Sequence, residues 1–432
     1  MMLMKVGACA PLLGGAMVAF ILFAGLLKAF NSSPFLPFND MHEHVEGSTT
    51  ITKSVPLSLL TTVETSAEKA PTSISSSPAS SSTNSALSAP LLPSQATTES
   101  RLKNVTLPEE YRLGRRPIQG WDTERQLLLA NQTNEKKYTR NGKPRLFMLT
   151  GSQPEPCHGN KGDYLMLKSL KNKIDYCMLH DVQIFYNMAI LDKKMDSFWS
   201  KLPLVRASME AHPEAEWFWW VDSDVVITDM LFELPLHLYE QYNLVVHGWE
   251  KQVFEKKSVM GLNAGSFLLR NCGWSFKFMD RWASMGPKGP IRDLAGRIQS
   301  ALLPDRPPEY PGDDQAALIY FMIKEHDQWG DKILLEPRNY LNGYWLDVMP
   351  DLEEIEADEQ RKMGKGTNLS RPFVTHFAGC QPCTGNRNPA FKEHQCEHDM
   401  ERALNFADNQ VLQSMGFHHV DLSSLDVEPL PL

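Results

Sequence analysis

Two aspartates separated by one residue follow a run of bulky apolar residues near the middle of the chain. Residues 217–221 are all large and apolar, and Asp222-Ser223-Asp224 comes directly after them. Carboxylate oxygens are the ligands that divalent cations such as Mg²⁺ and Mn²⁺ prefer. After a buried strand, this spacing predicts a metal site at Asp222 and Asp224, and a solvated turn is the alternative.

Two other segments carry residues suited to a polar site. Small residues flank a predicted strand at 261–270, as where a backbone approaches a ligand closely, and a β-bulge is the alternative. Asp313, Asp314 and Gln315 come directly before an apolar helix predicted at 316–323. The alternative role of these acidic residues is to stabilise the dipole of that helix.

A histidine and the cysteines beyond it allow a second kind of metal site. His376 ends a predicted strand, and a purely structural histidine is the alternative. Cys380-x-x-Cys383 lies close to His394 and Cys396, which would suit zinc, but no second Cys-x-x-Cys pair accompanies it. In a lumenal domain, six cysteines also permit up to three disulfides. These are Cys157, Cys177, Cys272, Cys380, Cys383 and Cys396.

Alternating strands and helices are predicted to position these residues. Apolar runs predict strands at 145–150, 182–186 and 217–221, with helices at 164–179 and 203–212 between them. This order predicts an α/β fold with a mainly parallel, doubly wound sheet. Ligands of such sheets bind beyond the carboxyl ends of the strands, where Gly151-Ser152 and the acidic pair are expected.

The N-terminal part of the chain predicts a membrane anchor and a stalk. Residues 6–27 form a long uncharged apolar run, enough for a bilayer-spanning helix, and a cleaved signal peptide is the alternative. Between 65 and 100, 17 of 36 residues are Ser or Thr, a composition typical of O-glycosylated stems. Glycosylation sequons at Asn104, Asn131 and Asn368 agree with a lumenal body.

Composition excludes several classes of protein. The 432 residues are 42% hydrophobic and 22% charged, which suits one large catalytic domain with accessory segments. The net charge of −9 argues against a general nucleic-acid binder, which needs a basic surface. The predicted segments are a cytosolic tip with anchor at 1–30, a stem at 31–107, a polar neck at 108–141, the catalytic domain at 142–425 and a tail at 426–432.

From about residue 145 to 421, the chain resembles the plant xyloglucan α-1,6-xylosyltransferases and the related galactomannan α-1,6-galactosyltransferases. The motifs that carry the resemblance include Trp219-Trp-Val-Asp-Ser-Asp224, Asp313-Asp-Gln315, Gly343-Tyr-Trp345 and the segment 375–383. The resemblance implies a GT-A fold and transfer of a sugar from a UDP-sugar with retention at the anomeric carbon. It further implies a single-pass type II protein of the Golgi membrane, which could assemble with itself or with related glycosyltransferases.

The resemblance implies roles for individual residues. Asp222, Asp224 and His376 would bind Mn²⁺, which accepts mixed oxygen and nitrogen ligands better than Mg²⁺ does. The donor would be bound by residues from several segments: Thr150, Gly151, Ser152, Asp163, Asp222, Ser223, Asn263, Gly265, Ser266, Gly379 and Gln381.

The catalytic residues implied by the resemblance are Asp314, Gln315 and Asp313. A carboxylate or amide at the reacting face of the sugar can stabilise an oxocarbenium-like transition state. Whether Asp314 acts as a nucleophile or as a stabilising charge stays open. The expected reaction is transfer of α-xylose from UDP-xylose to O6 of glucose in a β-1,4-glucan. Transfer of α-galactose from UDP-galactose to a mannan, or a non-catalytic carbohydrate-binding subunit, are the alternatives.

Two residues depart from the family pattern. Gln381 stands where lysine is usual, so the diphosphate loses a positive charge that Arg387 or Lys392 would have to replace. Ala264 stands where threonine is usual, which removes a hydrogen bond to the donor sugar. Two aromatic segments are candidates for stacking on the acceptor, or alternatively core residues. They are His247-Gly-Trp249 and Gly343-Tyr-Trp345.

The anchor and stem lead to a prediction about topology. Because the anchor is followed by a glycosylation-prone stem, we expect the body to lie in the lumen. In sealed vesicles it should resist added protease and carry glycans that a glycosidase removes. Digestion of the body in intact vesicles would show that the orientation is wrong.

Overall fold

A computed structural model describes residues 106–133, 137–158, 161–338, 340–361 and 371–430. The predicted anchor and almost all of the stem lie outside these residues, as do Asn104 and Asn368 of two sequons. In the described part of the chain, none of the helices combines the length and the apolar character needed to cross a bilayer.

Helices and strands alternate through most of the described chain. The helices are α1 Trp121–Ala130, α2 Gly162–Leu179, α3 Lys201–Ala211, α4 Gly273–Trp282, α5 Pro290–Leu302, α6 Asp314–Lys324, α7 His326–Trp329, α8 Trp345–Arg361 and α9 Glu393–Leu412. The strands are β1 Leu146–Gly151, β2 Gln183–Asn187, β3 Trp217–Val221, β4 Val225–Ile227, β5 Leu244–Gly248, β6 Leu262–Arg270, β7 Ile333–Glu336, β8 Val374–His376, β9 Phe417–His419 and β10 Val427–Pro429.

The main sheet has six strands in the order β2-β1-β3-β6-β5-β7. Strands β2, β1 and β3 are parallel to one another, but β6 runs antiparallel to both of its neighbours, β3 and β5. The α/β class is therefore confirmed. The sheet is mixed, but it is also mainly parallel as predicted, because five of its six strands share one direction and β6 alone runs against them. The antiparallel β6 places its first residues at the edge of the sheet where β3 and β5 end.

Strand β3 is buried on both faces, as its five consecutive apolar residues predict. Phe218 and Trp220 pack into the cluster on one face, together with helices α3, α4 and α6. Trp217, Trp219 and Val221 pack into the cluster on the other face, which includes residues of α2. This burial fixes the position of the two aspartates that follow the strand.

Strand β8, which ends in His376, lies outside the main sheet. It pairs antiparallel with β4 in a two-stranded ladder, in which His376 lies opposite Val225. His376 thus ends a strand, as predicted, but this strand is not part of the sheet that contains β3. The ladder still brings His376 and the two aspartates together, because β4 begins at the residue after Asp224.

The six cysteines form two disulfides in the described chain, not the three that their number permits. Cys157 is bonded to Cys383 and Cys380 to Cys396. Cys177 is a buried residue of α2 and Cys272 is partly buried, and both are free thiols. Because Cys380 and Cys383 belong to different disulfides, the zinc alternative is wrong.

The segment predicted as a separate polar neck is part of the folded body. Trp121 at the start of α1 is 1% exposed. Its indole Nε1 donates a hydrogen bond to Asn271 Oδ1 at 2.8 Å, and its ring packs edge-on against Phe276. Leu113 is also fully buried in the same core.

Replacing Trp121 tests whether this segment stabilises the body. We expect Trp121→Ala to lower the free energy of unfolding by about 3–5 kcal/mol, as is typical when a large buried aromatic side chain is removed. The matched control is Leu127→Ala on the same helix, since Leu127 is 67% exposed. Denaturant unfolding measures both. Equal, small effects would mean that the segment does not stabilise the body.

Candidate active site

Asp222, Asp224 and His376 lie together at the carboxyl end of β3. One ligand atom from each of the three lies within 4.8 Å of the others. His376 Nε2 is 3.4 Å from Asp224 Oδ1, and the backbone holds the two segments together because the Phe377 amide donates to the Asp224 carbonyl at 3.0 Å. Two carboxylates and one imidazole form a donor set suited to a divalent transition-metal cation.

The orientation of His376 fits a metal ligand. Its Nδ1 donates a hydrogen bond to Asn342 Oδ1 at 2.8 Å, and both residues are buried. A metal-ligating histidine is usually held through its second nitrogen in this way. Nε2 is then the nitrogen that points to the carboxylates. Asn342 was not identified from the sequence, and no local pattern distinguishes it.

Gly265 leaves the space that this cluster needs. A Cβ at this position would overlap His376 Cε1 and would lie 2.9 Å from Asp222 Oδ2. The Gly265 carbonyl accepts a hydrogen bond from the Asp222 amide at 2.7 Å, and the Gly265 amide donates to Asn263 Oδ1 at 2.9 Å. The structure therefore places the predicted residues Asn263 and Gly265 beside the metal cluster.

A buried lysine connects the metal cluster to a second carboxylate. Lys201 Nζ lies 3.4 Å from Asp222 Oδ1 and 2.9 Å from Asp314 Oδ2, and it donates to the Ala264 carbonyl at 3.0 Å. The side chains of Lys201 and Asp314 are 4% and 5% exposed, so this ion pair is almost completely removed from water. Lys201 is the first residue of α3, and no local sequence pattern identifies it as part of the site.

Burial and ion pairing shift the pKa values of these groups in opposite directions. Burial raises the pKa of Asp314 to about 6, although the positive charge of Lys201 works against this. Burial disfavours the charged form of Lys201, but the carboxylates of Asp222 and Asp314 outweigh it and raise the pKa of the lysine. Burial likewise opposes charge on His376, and the adjacent Asp224 carboxylate raises the pKa of the imidazole. The site is thus a cluster of carboxylates that depends on nearby positive charge.

A second buried lysine lies behind the loop between β3 and β4. Lys173 Nζ donates to the Val225 carbonyl at 2.6 Å and to Ser169 Oγ at 2.7 Å. Ser169 Oγ in turn donates to the carbonyl of Ser223 at 2.7 Å. Burial lowers the pKa of Lys173 to about 7. Ser223 therefore takes part in the site through its backbone, which α2 holds in place.

Asp313 and Gln315 support the site rather than face the metal cluster. Asp313 caps α6, because its carboxylate accepts from the Ala316 amide at 2.7 Å and pairs with Arg306 at 2.9 Å. The Gln315 amide accepts from the Ala264 amide at 3.1 Å and donates to the Val259 carbonyl at 2.9 Å. Of the three predicted catalytic residues, only Asp314 contacts the charged network of the metal site.

The residues predicted to contact the nucleotide lie at the end of β1, where Thr150 and Gly151 still pair with β2. Gly151 has no space for a side chain, since a Cβ there would overlap the Asn187 carbonyl oxygen. Ser152 Oγ accepts a hydrogen bond from the Tyr186 hydroxyl at 2.8 Å, and Thr150 is fully buried. These residues end the strand next to β3, so they lie along the same edge of the sheet as the metal cluster.

Ser266 and Asp163 have structural hydrogen bonds of their own. Ser266 is completely buried, and its hydroxyl accepts from Trp219 Nε1 at 2.9 Å, so its predicted contact with the donor is not supported. Asp163, in the first turn of α2, accepts from the Cys157 amide at 3.1 Å. It thereby holds the loop before α2.

Gly379 and Gln381 belong to a loop that the two disulfides fix. Both residues have positive φ angles, 85° and 43° respectively, and Cys380–Cys396 and Cys157–Cys383 bracket Gln381. Thr384 Oγ1 donates to Gln381 Oε1 at 3.0 Å. Arg387, a candidate replacement for the family lysine, donates from Nε to the Phe391 carbonyl at 2.8 Å.

Comparisons of the sequence with known proteins all match glycosyltransferases. The model of the galactosyl transferase GMA12/MNN10 family matches residues 142–387. "Probable xyloglucan 6-xylosyltransferase 5" of Arabidopsis thaliana is 49% identical over 307 residues, which are 71% of this chain and 66% of the relative. "Xyloglucan 6-xylosyltransferase 1" of the same plant is 47% identical over 319 residues, 74% of this chain and 68% of the relative. The chain thus spans about two thirds of the length of these curated relatives.

Among solved structures, one that matches is a glycosyltransferase "involved in the glycosylation of the major capsid of PBCV-1". It covers 60% of this chain and 99% of that chain at 12% identity, with a TM-score of 0.37. At that TM-score the structural similarity supports no inference about the site.

Replacing Gly265 tests the metal cluster directly. We expect Gly265→Ala to weaken the binding of a divalent cation, probed with Mn²⁺, about tenfold or more, because the new methyl group displaces two of the three candidate ligands. Titration calorimetry with MnCl₂ measures this without reference to activity. Gly330→Ala is the control, since its Cβ would also collide with a histidine side chain, that of His326, away from the cluster. Unchanged affinity in Gly265→Ala would contradict the assignment.

Proposed function

Because the chain belongs to the galactosyl transferase GMA12/MNN10 family, we propose that it transfers α-xylose from UDP-xylose to O6 of glucose in a β-1,4-glucan. The observation that carries the proposal is the cluster of Asp222, Asp224 and His376 at the sheet edge, linked through Lys201 to Asp314. The relatives named xyloglucan 6-xylosyltransferase support xylose as the sugar and xyloglucan as the product.

The donor set fits a divalent cation, and we assign Mn²⁺ to it because one ligand is a nitrogen. Such a cation supplies Lewis-acid neutralisation of the diphosphate leaving group. Asp222 and Asp224 would hold it through carboxylate oxygens, and His376 through Nε2, with Asn342 fixing the imidazole. Asp222 is itself oriented by the Trp220 indole, which donates to its Oδ1 at 2.6 Å.

Asp314 is the residue that would face the reacting sugar. Its carboxylate is held in a buried ion pair, and a fixed negative charge in such a site stabilises a developing oxocarbenium ion more strongly than it would in water. Lys201 keeps this carboxylate ionised and ties its position to that of Asp222. Gln315 fixes the strand residue Ala264 at the donor side of the site. We infer retention of the anomeric configuration from the family to which the chain belongs.

The wider setting of the enzyme is also part of the proposal. The mixed sheet with flanking helices supports a GT-A arrangement for residues 142–425. Residues 6–27 would anchor the chain as a type II protein of the Golgi membrane, with residues 31–107 as the stem. UDP-galactose with a mannan acceptor is the alternative pair of substrates. Galactose differs from xylose by a hydroxymethyl group at C5 and by the configuration at C4.

A substrate panel tests the proposed function. We expect UDP-xylose with cellohexaose to give transfer in the presence of Mn²⁺, and none after treatment with EDTA. UDP-galactose with mannohexaose is the competing pair. Full activity in EDTA would contradict the metal assignment, and transfer with neither pair would contradict the proposed function.

The matched variant for this assay is Asp224→Ala. We expect activity to fall by a factor of about 10³ or more, since a Lewis acid lowers the activation free energy by several kcal/mol. Asp229→Ala is the control, because Asp229 lies just beyond the next strand, β4, and its carboxylate accepts from the Leu231 amide at 3.1 Å. Circular dichroism establishes that both variants are folded.

A further inference from the structure

Trp249 follows strand β5 at the same edge of the sheet as the metal cluster. Strand β6 connects the two places: Gly265 contacts Asp222, while the Gly261 carbonyl accepts a hydrogen bond from the Trp249 amide at 2.9 Å. Trp249 lies two residues beyond His247, which pairs with Asn263 of β6, and Asn263 Oδ1 accepts from the Gly265 amide beside the cluster. An extended polysaccharide whose reacting sugar lies at the cluster would reach this position.

The indole of Trp249 is exposed and has an apolar neighbour. Its side chain is 42% exposed, and Met260, one residue before the Gly261 that it bonds, is 68% exposed. Trp345, in the other aromatic segment considered from the sequence, is fully buried and packs between Phe377 and Phe391. Of these two tryptophans, only Trp249 is available to a ligand.

A buried histidine holds the indole in one orientation. The ring of His247 lies 4.6 Å from that of Trp249 at an interplanar angle of 81°, an edge-to-face contact. His247 is 1% exposed, and burial lowers its pKa to about 4, so the ring is neutral at physiological pH. It lies between Asn263 of β6 and Glu336 of β7 in the sheet, next to the strand that lines the metal cluster. A tryptophan fixed in advance loses little conformational entropy on binding.

The chemistry of this surface matches one face of a pyranose ring. In β-linked glucose the hydroxyl groups project from the edge of the ring, and both faces present C–H groups. A flat indole covers such a face, and the next two residues along the chain, Glu250 and Lys251, are exposed and carry groups that can form hydrogen bonds with hydroxyl groups.

We propose that Trp249 is a stacking subsite for a glucose residue of the acceptor, remote from the reacting sugar, and that His247 is its positioning residue. This inference rests on the proposed function, because it takes the acceptor to be a β-1,4-glucan. It assigns to Trp249 a role in acceptor affinity rather than in the chemical step.

Steady-state kinetics with cellohexaose test the subsite. We expect Trp249→Ala to raise the acceptor KM about tenfold, equivalent to about 1.4 kcal/mol of binding free energy, with kcat little changed. Trp249→Phe should lie between this variant and the wild type, because a smaller ring still stacks. Phe417→Ala is the matched control, since Phe417 on β9 is 41% exposed. A KM for Trp249→Ala within twofold of the wild type would overturn the proposal.

His247 is tested by variants that separate orientation from packing. We expect His247→Ala to raise the acceptor KM, and His247→Phe to restore it, because phenylalanine keeps an edge-to-face ring contact. Melting temperatures, measured by circular dichroism, exclude variants that are unfolded. Equal acceptor KM values for His247→Ala and the wild type would remove the positioning role.

Calorimetric binding of cellohexaose, with UDP and Mn²⁺ present, distinguishes failure of the subsite from failure of the proposed function. Binding by the wild type that Trp249→Ala loses supports the subsite even if no sugar is transferred. Transfer by the wild type with equal binding by both proteins overturns the subsite alone. Absence of both transfer and binding in the wild type overturns both proposals.

Discussion

The arrangement of this site depends on carboxylates held close together at the end of a strand that is buried on both faces. Strand β3 cannot shift without exposing its apolar side chains, so Asp222 is fixed beside Asp314 and His376. Negative charges in a largely water-free environment are unfavourable unless positive charge lies nearby. Lys201 meets part of this requirement, and the remaining carboxylate oxygens of the cluster are suited to a bound cation.

The antiparallel strand β6 is the structural element that makes so close a cluster possible. It enters the sheet at the edge where β3 ends, and its glycine at 265 lets the backbone approach both the aspartate and the imidazole. The same strand continues to the segment that bonds Trp249. One strand thus connects the proposed reaction centre with the proposed acceptor subsite, and its position is fixed by pairing on both sides with β3 and β5.

The loop after His376 is held by covalent bonds instead of by a strand. One disulfide ties it to the segment before α2, and the other ties it to the start of α9. The loop packs so closely on α2 that a Cβ at Gly162 would lie 2.8 Å from the Pro382 carbonyl oxygen. Gln381 therefore occupies a fixed position even though its backbone has a left-handed conformation.

The sequence alone determined the local elements and the principal ligands. Five apolar residues before Asp222 predicted the buried strand, and the apolar run ending at His376 predicted β8, because burial and strand period depend on neighbours along the chain. Only the tertiary structure decided which distant residues meet. The direction of β6, the pairing of the cysteines, the contacts of Lys201 and Asn342, and the burial of Trp345 but not Trp249 all arise between segments far apart in sequence. A periodic pattern shows which face of an element is buried, but not which residues pack against that face, and that choice is made by the packing of the whole fold.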